Sequence, residues 1–293
     1  MDGKDIRWLS SVVIKDDSFY CMPGESNAIY KVTFQDWKIT KVFQTSYREI
    51  GRWSVCGNMD YIYGIPNKGI RFIVYEIETG KGSSFESGDE ETELAESVWY
   101  DQKIWFIPRN LPCGMWFFSF PETSFFENLK WKEELKRLKV SGRVTRWYIE
   151  KEKIYLVLFR EKRILQYDLY SDQMVDITPP MEEGFYDIVC MGDCLFFLTK
   201  DNEKMLYGWN LKNKKIWKLR GDGEGSYRKL IKIGNELLLD TGMGLEVLKN
   251  GRISATDIRF CTQPEGANYI NAVTLTSKRM LLPWGQPGFL VFS

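Results

Sequence analysis

Seven short apolar strands recur along this chain at nearly constant spacing, and that recurrence restricts the fold more than any other feature. Each follows a turn signal: "FYC" at Phe19, "YIY" at Tyr61, "IWF" at Ile104, "IYL" at Ile154, "LFF" at Leu195, "LLL" at Leu237 and "MLL" at Met280. The steps between them are 42, 43, 50, 41, 42 and 43 residues. A period of this length is the mark of stacked structural units, each unable to bury its apolar face alone.

Every unit repeats four parts. An entering stretch ends in a turn such as "IKDDS", "CMGDC" or "KIGNE", and the apolar triplet follows. A connection rich in Pro, Gly or charge comes next, as in "IPRNLPCG" and "PWGQPG", then an alternating third strand such as "FIVYEIE" or "ILQYDLY". A polar turn ("ETGK", "KNKK") leads to a weaker fourth strand such as "KITKVF". The triplet is apolar on consecutive residues, so both of its faces must be covered, whereas the fourth strand is mixed. Antiparallel four-stranded sheets packed face to face around an axis produce that gradient.

The expected fold is therefore all-β, a seven-bladed β-propeller of four-stranded antiparallel blades, in one domain over residues 1–293. Its units are read at about 10–49, 50–93, 94–141, 142–183, 184–226, 227–267 and 268–293. Distributing the core between blades also explains how 293 residues fold together when single cores rarely grow much larger. The last unit stops after its third strand, so residues 4–9 ("KDIRWL") are expected to supply its fourth and close the ring. Six blades is the alternative if the weak last unit is not a blade. The long 50-residue step places extra chain at "ENLKWKEELKRLKVSG", where Leu129, Leu135 and Leu138 suggest either a short amphipathic helix or a solvated loop.

The unit seen as "IYGIPNKGIRFIVYEIETGK" and "IYLVLFREKRILQYDLYSDQ" resembles the repeats of uncharacterised bacterial β-propeller proteins, loosely similar in the third strand to kelch and quinoprotein repeats. The resemblance spans the chain and implies a scaffold or binding role; it carries over no catalytic residue. The Gly-Gly doublet of kelch, the Gly-His and Trp-Asp pairs of WD40 and the aspartate box of sialidases are all missing.

Composition excludes much chemistry. The chain contains no histidine, which removes the usual general base, the usual zinc ligand and every nucleophile-histidine pair. No metal and no cofactor is expected. Forty basic residues balance forty acidic ones, so nucleic acid and anionic membrane are not expected partners. The charged N-terminus and the lack of a long apolar run point to a cytoplasmic protein, read as a monomer. Six scattered cysteines without a Cys-x-x-Cys read as buried thiols, and only Cys190 and Cys194 flank one turn closely enough to suggest a pair. "GDGEGS" (221–226) has the look of a phosphate or calcium loop. A strand rather than a helix follows it, however, and Asp222 and Glu224 are too few ligands.

The candidate site comes from register. Counting back eight or nine residues from each triplet reaches the start of the unit's first strand, expected to line the propeller's central funnel. Those residues are Ser11, Arg52, Glu96, Arg146, Asp187, Arg228 and Asn271. Three arginines there can fork onto a carboxylate or phosphate, with Glu96 and Asp187 orienting them. Two readings stay open: a ligand site, or a ring of charges that satisfy one another. Trp53, Trp147 and Tyr186 sit beside these charges, either to stack on a ligand or to wedge between blades.

Two functions follow. One is a non-catalytic binding propeller, holding a protein partner, a glycan or an anion at the funnel mouth and the connections bearing Pro23, Pro66, Pro108 and Pro283. The other is a carbohydrate-active enzyme, a glycosidase or lyase using Glu96 and Asp187, since two carboxylates need no histidine.

Overall fold

The computed structural model describes residues 12–23, 26–46, 53–58, 60–66, 71–86, 93–111, 113–119, 124–200, 202–242, 244–259, 268–275, 278–284 and 290–292, with side chains as far as Thr256. Seven antiparallel sheets run in chain order over 13–44, 53–86, 94–127, 146–176, 185–220, 229–259 and 268–292, here sheets 1 to 7. In sheets 1 to 6 four strands pair in chain order as a meander, sheet 3 leaving out the two-residue strand Asn110–Leu111 within its span, and the seventh has three strands among the described residues. Seven such sheets make a seven-bladed β-propeller, and the six-bladed alternative falls because the last unit forms a sheet of its own. The expected closing segment, residues 4–9, lies outside the described residues, as do Ser11 and Arg52.

The hairpins are short because their turns adopt left-handed backbone. Asp101 and Gln102, at φ 49° and 57°, join the first two strands of sheet 3 by a two-residue turn that matches strand twist. The second strands are buried almost throughout, as in Lys153–Leu158, where only the first residue is partly exposed. Fourth strands such as Gly82–Glu86 bury nothing fully. The gradient read from the triplets is thus a gradient of burial across each sheet.

The chain divides into two compact units, Met1–Leu129 with Tyr269–Asn271 and Leu281–Val291, and Lys130–Asn268 with Ala272–Met280 and Phe292–Ser293. In the first, sheets 1 and 2 pack through Tyr20, Ile29, Trp53, Ile62 and Ile73. Sheets 2 and 3 pack through an aromatic group in which Phe72 meets Phe118 edge-on, ring centroids 4.8 Å apart. In the second, Tyr155, Ile164, Phe185, Phe197 and Trp209 join sheets 4 and 5, and Leu198, Leu206, Tyr227 and Leu239 join sheets 5 and 6. Large flat rings fill the gap between facing sheets with few side chains, which accounts for the 15% aromatic content.

The surplus chain forms a helix, Leu129–Arg137. Its buried face differs from the expected one. Trp131 and Leu135, one turn apart, are buried while Leu129 stays 65% exposed. Trp131 meets Tyr167 of sheet 4 edge-on at 4.9 Å, and Glu134 accepts a 2.7 Å bond from the Met174 amide. A leucine count misses this because the indole offers more surface to bury than any leucine. Among the described residues no helix is long and apolar enough to cross a membrane, and no group of three metal-ligating side chains occurs.

Candidate functional site

The first strands of sheets 4, 5 and 6 are Arg146–Glu150, Phe185–Met191 and Lys229–Ile233, and they lie side by side. Their starts gather charge. Arg146 is exposed, and its guanidinium carbon stands 5.1 Å from the Tyr186 ring centre while Nη1 donates to the Thr145 carbonyl at 2.9 Å. Tyr186 occupies a register shift between Phe185 and Asp187, and such a bulge re-aims the side chains beside it. Asp187 is 4% exposed and its Oδ2 accepts the Leu230 amide at 2.7 Å. Burial pushes its carboxyl above the ordinary range, against the pull of Lys229, the Leu230 amide and Arg146.

A second buried carboxylate faces the same strip. Asp240, 1% exposed, closes the second strand of sheet 6 opposite Lys229 and accepts the Gly242 amide at 2.6 Å. Burial raises its pKa too, with the Gly242 amide, Arg228 and Lys229 opposing. Arg228 is exposed, its backbone amide held by the Asp240 carbonyl at 2.7 Å. Its guanidinium lies against Gly242: a Cβ there would stand 2.4 Å from Arg228 Cζ, at a φ of +78° that also excludes most side chains.

The strand start bearing Arg228 is anchored from sheet 5. Asn202, 2% exposed, accepts the Tyr227 amide at 2.8 Å and donates to the Tyr227 carbonyl at 2.9 Å and the Thr199 carbonyl at 3.2 Å. Tyr227 Oη donates to Glu246, which also pairs with Lys204 at 2.7 Å. Lys204 donates further to the Asp222 carbonyl at 2.6 Å, tying down "GDGEGS" from below. That loop is an exposed connection anchored by a buried network.

The two ends of these strands differ in one respect that bears on function. At the far end Lys232 reaches both oxygens of Glu150 at 2.5 Å, and Tyr148 Oη donates to the same carboxylate at 2.6 Å. Those charges satisfy one another. At the near end, among the described residues, neither Arg146 nor Arg228 forms an ion pair with a carboxylate.

The remaining sequence candidates fall elsewhere. Glu96, half-buried opposite Ile107 in sheet 3, accepts the Ser97 amide at 3.1 Å and belongs to the other compact unit from Asp187. Trp53 is 2% exposed in the packing of sheets 1 and 2, a wedge with no face left for a ligand. Trp147 is half-buried opposite Leu156. Asn271 lies in strand Asn268–Leu275, beyond the described side chains. Cys190 and Cys194 remain free thiols, both raised in pKa by burial. Sequence reasoning missed Lys229, Asp240, Asn202 and Gly242. Asp240 alone left a signal, as the acid that directly follows the apolar triplet Leu237–Leu239.

The sheets define a β-propeller, and solved structures agree. Virginiamycin B lyase from Staphylococcus aureus, in a catalytically inactive form with quinupristin, is similar over 97% of this chain and 94% of its own, at 11% identity and TM-score 0.69. The extracellular domain of a one-component system from B. thetaiotaomicron is similar over 99% of this chain and 38% of its own, at 13% identity and TM-score 0.68. The WD40 β-propeller domain of Doa1 follows with 98% and 93% coverage, 10% identity and TM-score 0.62. At such identities the likeness is one of fold alone. No family matches the chain by sequence and no curated protein matches it, so kinship with kelch or quinoprotein repeats is not shown.

Proposed function

We propose that this chain is a non-catalytic binding propeller that holds a polar ligand, a glycan or an anion, at the strip formed by Arg146, Asp187, Arg228 and Lys229. The contrast between strand ends carries the reading: charges at one end are mutually paired, and at the other two exposed guanidiniums stand beside carboxylates already committed to backbone amides. A guanidinium held by stacking and left without a carboxylate keeps donors for a ligand. The inactive form of the similar lyase carries alanine in place of a histidine, and this chain has no histidine. Sensor and WD40 domains among the similar structures support a recognition role without specifying a partner.

The enzymatic alternative, carbohydrate cleavage with Glu96 and Asp187, has the raised pKa of Asp187 in its favour. Its burial and its bond to the Leu230 amide weigh against it, because a general acid must reach the scissile oxygen. Thermal-shift screening of neutral and acidic glycans and small anions tests both. Stabilising compounds are expected, their effect abolished by the double change Arg146→Gln and Arg228→Gln, with each compound recovered intact by mass spectrometry. Turnover of any of them overturns the non-catalytic reading.

A further inference from the structure

The turn between the third and fourth strands of sheet 5 carries Lys212, Lys214 and Lys215, and the matching turn of sheet 6 carries Lys249 and Arg252, all of them exposed. In a meander both hairpin turns fall at one end of the sheet, and the Leu211 amide accordingly meets the Asp193 carbonyl at 2.9 Å. Sheets 5 and 6 run the same way. Asp187 and Leu230, each near the start of its first strand, bond to each other, while Cys194, Leu248 and Ile253 at the other end share one core. Both basic turns therefore stand at the same end of neighbouring sheets, away from the strip of Arg146 and Arg228.

Turn chemistry does not call for this charge. Asn250 and Gly251, at φ 51° and 74°, make the reversal in sheet 6, and in sheet 5 the Asn210 side chain accepts the Lys212 and Asn213 amides at 3.0 Å. Yet Lys249 stands directly across from Arg252, and like charges opposed in a strand pair work against folding. The pair closing the same turn of sheet 4 is Asp168 and Gln173. Little negative charge is at hand. At this end of sheets 5 and 6 the described acids are Asp193, which takes Lys212 at 2.7 Å, and Glu236 at the head of the second strand of sheet 6. Lys214 rests over the Trp209 ring at 5.8 Å. Among the described residues Lys215, Lys249 and Arg252 pair with no carboxylate.

We infer that this end of sheets 5 and 6 docks an acidic stretch of another polypeptide. Among the described residues of the two sheets no large apolar side chain is exposed, so nothing is on hand to enter a lipid interface. Trp209 is 5% exposed and covered by Lys214, which leaves no aromatic face for nucleic-acid bases. All but Arg252 are lysines, compact charges on flexible stems rather than the rigid forks suited to phosphate. Such cations match carboxylates spaced along a chain, in a contact that steers encounter and weakens with salt.

The test is fluorescence anisotropy of a labelled oligoglutamate with the intact chain, run beside phosphatidylserine vesicles and mixed-sequence RNA. Oligoglutamate is expected to bind at low salt and to be released as salt rises. The double change Lys249→Gln and Arg252→Gln should weaken it about tenfold, and so should Lys214→Gln with Lys215→Gln. The first pair should also leave the thermal midpoint unchanged or raised, because it relieves opposed like charges. Lys41→Gln, an exposed cation on sheet 1, should leave binding intact, as should the Arg146→Gln and Arg228→Gln double change. Absence of oligoglutamate binding, an equal loss in Lys41→Gln, loss only in the Arg146 and Arg228 double variant, or tighter binding to vesicles or RNA overturns the inference. None of these results bears on whether the Arg146 and Arg228 strip binds a small ligand.

Discussion

Replacing Asn202 by alanine tests how the fold delivers Arg228 to the surface. The Asn202 amide closes a two-way clamp on the Tyr227 backbone, accepting its N–H and donating to its carbonyl, at a position 2% exposed. Alanine leaves that buried donor and acceptor unpaired, at about 1 to 3 kcal/mol each. Some water entry is expected, so the loss is placed at about 2 to 4 kcal/mol. Urea unfolding gives the global change, and hydrogen exchange should show the Tyr227 amide losing protection ahead of neighbouring strand amides. Asn202→Asp separates the two halves of the clamp. A carboxylate still accepts the Tyr227 N–H but cannot donate to the Tyr227 and Thr199 carbonyls and is repelled by them, so at neutral pH it should cost at least as much as alanine. In acid the protonated group regains a donor and part of the loss returns. A cost below about 0.5 kcal/mol for either variant, the range of ordinary surface changes, with Tyr227 still protected, would refute the clamp.

The buried acids make a prediction about pH. Asp187 and Asp240 have folded pKa values raised by burial, so the folded chain binds protons more tightly than the unfolded one. Their contribution is fully present below the unfolded value near 3.8 and is lost as pH rises through the folded values. The Asp187→Asn, Asp240→Asn double variant should therefore gain on the wild type as pH is raised from acid toward neutral in parallel denaturation curves; a pH-independent difference contradicts the assignment. Trp131→Ala should cost about 3 to 5 kcal/mol and speed exchange along Leu129–Arg137, because the indole is wholly buried, while Leu129→Ala at the exposed position should be nearly silent. Gly208→Ala should cost about 1 to 3 kcal/mol. Its Cβ would stand 2.3 Å from the Trp217 ring across the strand pair, and the Trp217 indole N–H resonance should move; an unmoved resonance would show that the ring does not rest on Gly208.

The blades were legible because their signal is local and repeated. A strand covered on both faces must be apolar at consecutive positions, and "IYL", "LFF" and "LLL" report that without knowledge of any partner. The helix was half legible. Its leucine spacing is a local fact, but which face docks depends on Tyr167 and Met174, far away in the chain. The candidate strip was legible to the same extent. Arg146, Asp187 and Arg228 were reachable by counting from the triplets, since strand starts keep step with the repeat. Trp53 was counted equally well and proved to be packing, because a residue's neighbours across two sheets, and not its place in one, decide whether it meets solvent.

Amino-acid order alone therefore determined the number of sheets, their strand pattern and the rows of polar residues at the strand starts, all consequences of short-range burial and turn chemistry. Tertiary structure decided which charges are taken and which remain. Glu150 finds Lys232 across 82 residues of chain, Asp187 and Asp240 give their oxygens to the amides of Leu230 and Gly242, and a one-residue bulge sets Tyr186 under Arg146. Apart from the local Asp240–Gly242 bond, these pairings join separate units of the repeat, and a period read along the chain is silent on what faces what between them.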